Sequence, residues 1–118
     1  MDSLERMPNK QFAFKCLQLL INNNKLDDKA LHLLTNEDEC QRLFQCSGKF
    51  TILNEIPLNC SDEELKVHCC DNTGRRRYYK EKIFISGRAF VVTNHWYGPE
   101  KSMSDNRTPF LRWVKSRI

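Results

Sequence analysis

Apolar positions recur at helical spacing through the first half of the chain and then give way to alternation. Between Asn9 and Asn22, Ala13, Cys16, Leu17 and Leu20 form a dry stripe, widened by Phe12, Phe14, Leu19 and Ile21. Gln11, Lys15, Gln18 and Asn22 form the wet one. The spacing predicts a helix over these residues, ended by the Asn22-Asn23-Asn24 run, because Asn tolerates the left-handed conformation of helix ends. A second, shorter helix should start at Asp27 as N-cap and run to Leu34, with Leu26 and Leu31 placed as a hydrophobic staple. Asn36, with Glu39 at capping-box spacing, opens a third. Its dry face is Cys40, Leu43 and Phe44, and Gly48 is expected to stop it.

After Gly48 the period falls to two. Lys49-Phe50-Thr51-Ile52-Leu53 reads as a strand closed before Pro57. Asn59 to Glu64 reads as a turn or helix start, with Ser61 capping Asp62-Glu63-Glu64. Asp71-Asn72-Thr73-Gly74 is a loop. A hairpin follows over Lys80 to Tyr97, turning at Ser86-Gly87, which sets Ile85 opposite Arg88, Ile83 opposite Phe90 and Glu81 opposite Val92. One hairpin face then carries Ile83, Ile85, Phe90, Val92, Tyr79 and Trp96, the core side. The other carries Arg76, Tyr78, Lys80, Lys82, Phe84, Val91 and His95, a mixture of cations and aromatics. Gly98-Pro99 ends the strand, a polar loop runs to residue 107, and Thr108 as N-cap with Pro109 as first residue opens a last helix, dry along Phe110, Leu111, Trp113, Val114 and Ile118.

At 118 residues the chain reads as one domain, residues 1–118, of the α+β class. It is expected to hold three N-terminal helices, a small antiparallel sheet with a β-hairpin, and a C-terminal helix. The element order is compatible with a winged-helix-like arrangement, and the two short helices around Thr35-Asn36 have the outline of a helix-turn-helix. The acidic first turn of the third helix, Glu37-Asp38-Glu39, would repel phosphate, so that helix is expected to pack rather than read DNA.

Charge changes the picture. The net +4 is uneven: residues 1–60 carry −1, residues 61–118 carry +5, and from Arg75 onward the balance is +8. Such a field attracts polyanions, nucleic acid first and acidic protein surfaces second. Arg75-Arg76-Arg77-Tyr78-Tyr79-Lys80 runs straight into the hairpin, which nominates Arg75, Arg76, Arg77, Lys80, Lys82 and Arg88 for phosphate, with Tyr78 and His95 set to meet bases. The function expected is a non-enzymatic module that binds DNA or RNA. The alternative is a small protein-interaction domain, adaptor or inhibitor, docking an acidic partner or anchored by Phe84 and Trp113.

Other chemistry finds little support. Cys60, His68, Cys70 and His95 have metal-ligand side chains without paired C-x₂₋₄-C spacing. No nucleophile-bearing turn accompanies the six cysteines, and the four glycines are scattered singly. No catalytic residue, metal or cofactor is therefore assigned. No apolar run is long enough to span a membrane, and no export signal precedes Asn9. The expected setting is the cytoplasm, with reduced thiols.

Overall fold

The computed structural model describes residues 3–46, 50–101 and 104–118. Those residues hold six helices and a three-stranded antiparallel sheet, an α+β fold ending in a helix. The helices are α1 (Ser3–Arg6), α2 (Asn9–Asn22), α3 (Asp28–Leu34), α4 (Glu37–Phe44), α5 (Asp62–His68) and α6 (Arg107–Arg117). The strands are β1 (Leu53–Ile56), β2 (Ile83–Ile85) and β3 (Arg88–Val92), in the order β1-β3-β2. This remains compatible with a winged-helix-like outline, with α5 added between β1 and the hairpin.

Local chemistry sets most boundaries. α2 runs over the residues its dry stripe marks, and Asn24 behind it takes φ 57. Asp27 caps α3 by accepting from the Ala30 amide, and Asn36 caps α4 by accepting from the Glu39 amide. Ser61 and Glu64 form a reciprocal capping box on α5. α4 ends earlier than Gly48, which lies outside the described residues. Gln45 turns left-handed at φ 57, and the Cys46 amide reaches back to the Cys40 carbonyl. The amide of Gln45 itself bonds the Gln41 carbonyl, five-to-one, so the helix closes with an αL cap that has no glycine. α6 opens at Arg107 rather than at Pro109: Asp105, not Thr108, supplies the cap by accepting from the Thr108 amide at 2.9 Å. Pro109 sits in the first turn, where its missing N–H has no intrahelical partner to lose.

The sheet differs from expectation at both ends. The strand expected from Lys49 begins at Leu53, and Lys49 lies outside the described residues. The hairpin turns at Ser86 (φ 53) and Gly87 (φ 76), the paired positive φ values of a type I′ turn, and its register matches Ile85 with Arg88 and Ile83 with Phe90. Beyond Ile83 the ladder breaks. Glu81 does not pair with Val92; the Tyr79 amide bonds the Val92 carbonyl instead, and Tyr78 bridges Thr93. Between these points the β2 side carries two more residues than the β3 side, so Lys80 to Lys82 bow out of the sheet.

β3 is the central strand, and Ala89 to Val92 are all buried. One face of the sheet packs on the helical layer. There Phe12 of α2 meets Trp96 at 5.4 Å and Phe110 of α6 at 6.3 Å, and Phe110 meets Phe44 of α4 at 5.5 Å, in edge-to-face contacts. α4 thus packs against α6 as expected. The opposite face, expected to be wet, is covered by α5. The Asn54 side chain donates to the His68 carbonyl, Leu65 and Cys69 are buried, and Lys82 reaches the Cys60 carbonyl.

Candidate nucleic-acid interface

The loop from Asp71 to Gly74 organises the arginine run. Asp71 Oδ1 accepts from the Thr73 amide (2.9 Å), the Thr73 hydroxyl (2.6 Å) and the Arg75 amide (3.1 Å), while Gly74 takes φ 85 to close the turn. Asp71 Oδ2 accepts from Arg77 Nε at 2.8 Å. The Thr73 hydroxyl and Arg77, helped by the two amides, hold the Asp71 carboxyl well below the usual carboxylate range. Both partners of this ion pair are largely covered.

Arg77 is therefore structural. Its Nη1 lies 3.0 Å from His95 Nε2. A guanidinium can only donate, so Nε2 accepts and His95 is neutral, with its proton on Nδ1. His95 is half-buried, stacked on Tyr97 and set 5.1 Å from Phe50. Burial first, then the charges of Arg77 and Arg75, lower its pKa.

Three more nominated residues are engaged. Arg88 makes a two-pronged bond to Glu55 at 2.9 and 2.7 Å. Lys82 donates to the Cys60 carbonyl at 3.0 Å. Tyr78 is buried, and its hydroxyl accepts from the Thr51 amide at 2.9 Å. The expectation that Tyr78 meets a base fails on this point: its ring lies beneath the surface with the hydroxyl turned inward to Thr51. Val91 is buried as well, on the face where its partner Asn54 bonds the end of α5. Tyr79 is half-buried against Phe14, with Lys10 over its ring. Trp113 packs against Phe44 and Phe110 and carries Arg117 on its face, whereas Phe84 is 59% exposed.

Arg75, Arg76 and Lys80 remain. All three are exposed, and none forms an ion pair among the described residues. Arg76 is anchored through Nε to the Tyr78 carbonyl at 3.1 Å, which leaves both terminal nitrogens free to donate outward. Arg76 and Lys80 border a recess of about 750 Å³ between α5 and the bowed segment. Lys66 of α5 faces the same recess, with Leu65, Cys69 and Cys70 as its apolar lining. Lys66 was not nominated from sequence. The Asp62, Leu65, Lys66, Cys69 spacing marks a helix with one covered stripe, but only the tertiary packing sets Lys66 beside Arg76.

Among the described residues no three His, Cys, Asp or Glu side chains converge as metal ligands, and no helix is long and apolar enough to cross a membrane. All six thiols are free. No family model, no curated protein and no solved structure matches this chain.

Proposed function

We propose that this domain is a non-enzymatic nucleic-acid-binding module acting in the cytoplasm. It holds phosphates with Arg75, Arg76, Lys80 and Lys66 rather than with the whole basic hairpin. The observation that carries this reading is the division among the cations. Arg77 and Arg88 are tied to Asp71 and Glu55, while Arg75, Arg76 and Lys80 have no carboxylate partner among the described residues, and Arg76 and Lys80 border one recess with Lys66. A cation fixed by a backbone contact and left open at its far end, as Arg76 is, is suited to bidentate phosphate contact.

The test is fluorescence polarisation with labelled DNA and RNA across a salt series. Three or four neutralised phosphates give a log–log slope of roughly −2 to −4, from ~0.9 per phosphate on duplex and ~0.7 on single strands. Replacing Arg75, Arg76 and Lys80 together by Gln should flatten that slope and weaken binding by an order of magnitude or more. Replacing Arg88 by Gln should leave the slope unchanged. Equal loss in both variants, or no binding at low salt, refutes the assignment. In the second case the exposed Phe84 directs the search to a protein partner, the alternative function.

A further inference from the structure

Resting on the nucleic-acid reading, we propose that the recess between α5 and residues 76–81 seats one unpaired nucleotide, so that the preferred ligand is a single strand. A surface that only tracks phosphates needs no concavity. This one has a volume of about 750 Å³, within the ~300–1,000 Å³ range of small-ligand clefts. Its chemistry is split in the way a nucleotide is split. Lys66, Arg76 and Lys80 offer charge from two directions, one from the helix and two from the stretch leading into β2. Leu65, Cys69 and Cys70 offer an apolar surface between them. A phosphate fits the first set and the face of a base the second.

The carboxylates sort in the same way. Glu81 borders the recess but is taken by Lys10. Asp62 borders it without an ion-pair partner among the described residues, and a free carboxylate beside a base accepts from an exocyclic amine, as acidic side chains do from cytosine. Paired bases inside a duplex cannot enter such a recess without being unstacked and unpaired, whereas the bases of a single strand are already free to turn into it. No aromatic side chain among the described residues lines the recess, so the base rests on aliphatic and thiol surface, and the gain per nucleotide is smaller than at an aromatic platform.

Cys70 supplies a direct readout, since it lines the recess and is half-buried while the other five thiols are buried. The intact protein is alkylated with N-ethylmaleimide, alone and saturated with oligo(dA), oligo(dT), oligo(dC) or a DNA duplex, and Cys70 labelling is followed by mass spectrometry. Polarisation is measured on the same ligands. The expected result is protection of Cys70 by single strands, none by duplex, and roughly tenfold tighter single-strand binding. Cys70→Met, which crowds the apolar lining and leaves every charge in place, should weaken that preference while duplex binding persists. Asp62→Asn should remove any advantage of oligo(dA) and oligo(dC) over oligo(dT). Equal affinity for duplex with unprotected Cys70 overturns the recess assignment and leaves the phosphate-binding surface standing. No binding to any of the ligands overturns both.

Discussion

Replacing Tyr78 by Phe separates a structural phenol from a ligand-facing one. The Tyr78 hydroxyl sits in a closed hydrogen-bond chain. The Thr51 amide donates to it at 2.9 Å, and the hydroxyl lies 3.0 Å from Thr51 Oγ1. Thr51 Oγ1 in turn donates to the Leu53 carbonyl, so the Tyr78 proton points to Thr51 Oγ1. Both residues are buried, at 8% and 6% exposure, and water has little access to replace the lost group. Phe keeps the ring packing but orphans the Thr51 amide. An unsatisfied buried donor costs about 1–3 kcal/mol. For a domain of this size each kcal/mol moves Tm by roughly 4 °C, so the variant should melt about 4–12 °C lower.

Oligonucleotide affinity, by contrast, should stay within about twofold, since the ring contributes nothing at the surface. A parallel Thr51→Val variant and the double variant complete a cycle, in which the two costs should fall short of additive because the groups share one network. Burial, the leading effect, raises the Tyr78 pKa. The unfolded chain then releases its phenolic proton first, so the Tyr78 contribution to stability is lost as pH rises past ~10, and Tyr78→Phe should lack that component. An unchanged Tm together with weakened binding would refute the burial argument and return Tyr78 to the ligand surface.

Two further outcomes follow from buried polar groups. His95 has a lowered pKa, so the unfolded chain takes up its proton first as pH falls through ~6.5, and stability should decline from there downward. A pH series of melts on the native protein and on His95→Gln, with the imidazole followed by NMR, checks this; a titration midpoint above the ordinary histidine value refutes it. Asn106 is fully buried, accepts from the Tyr97 amide at 2.8 Å and donates to the His95 carbonyl at 2.8 Å. Asn106→Leu should therefore cost ~2 kcal/mol or more in urea unfolding, and a loss below ~0.5 kcal/mol would show those bonds to be dispensable.

What the sequence made legible was local. Asp27, Asn36 and Ser61 cap their helices because a short oxygen-bearing side chain reaches an amide three residues on, whatever the rest of the chain does. The Ser86-Gly87 register was equally local, since a two-residue type I′ turn fixes the pairs beside it. What stayed hidden depended on neighbours far away in sequence. α5 closes over the face that alternation had left to solvent, where Val91 is buried, and the Tyr78 hydroxyl turns inward to Thr51. One signal was present: Ala89-Phe90-Val91-Val92 is apolar without a break, the pattern of a strand covered on both sides rather than one. The loss of pairing at Glu81 carried no comparable mark. Arg77 lies six residues from Asp71, outside helical or ladder spacing, and their pairing appears only once the Asp71–Gly74 turn is built.

The balance of +8 from Arg75 onward overstates the field a ligand meets, because half of the nominated set is spent inside the fold. Arg77 is neutralised by a shielded carboxylate, Arg88 by Glu55, and Lys82 is turned toward a carbonyl. Coulomb attraction at short range depends on the charges that no carboxylate offsets, and of the nominated cations Arg75, Arg76 and Lys80 are exposed and lack a carboxylate partner among the described residues. A cluster of three or four cations gives a short footprint with shallow salt dependence, too weak to hold a long duplex against physiological ionic strength by charge alone. On the proposed reading, useful affinity comes from a second, salt-insensitive contact, which the apolar recess bordered by Lys66, Arg76 and Lys80 offers.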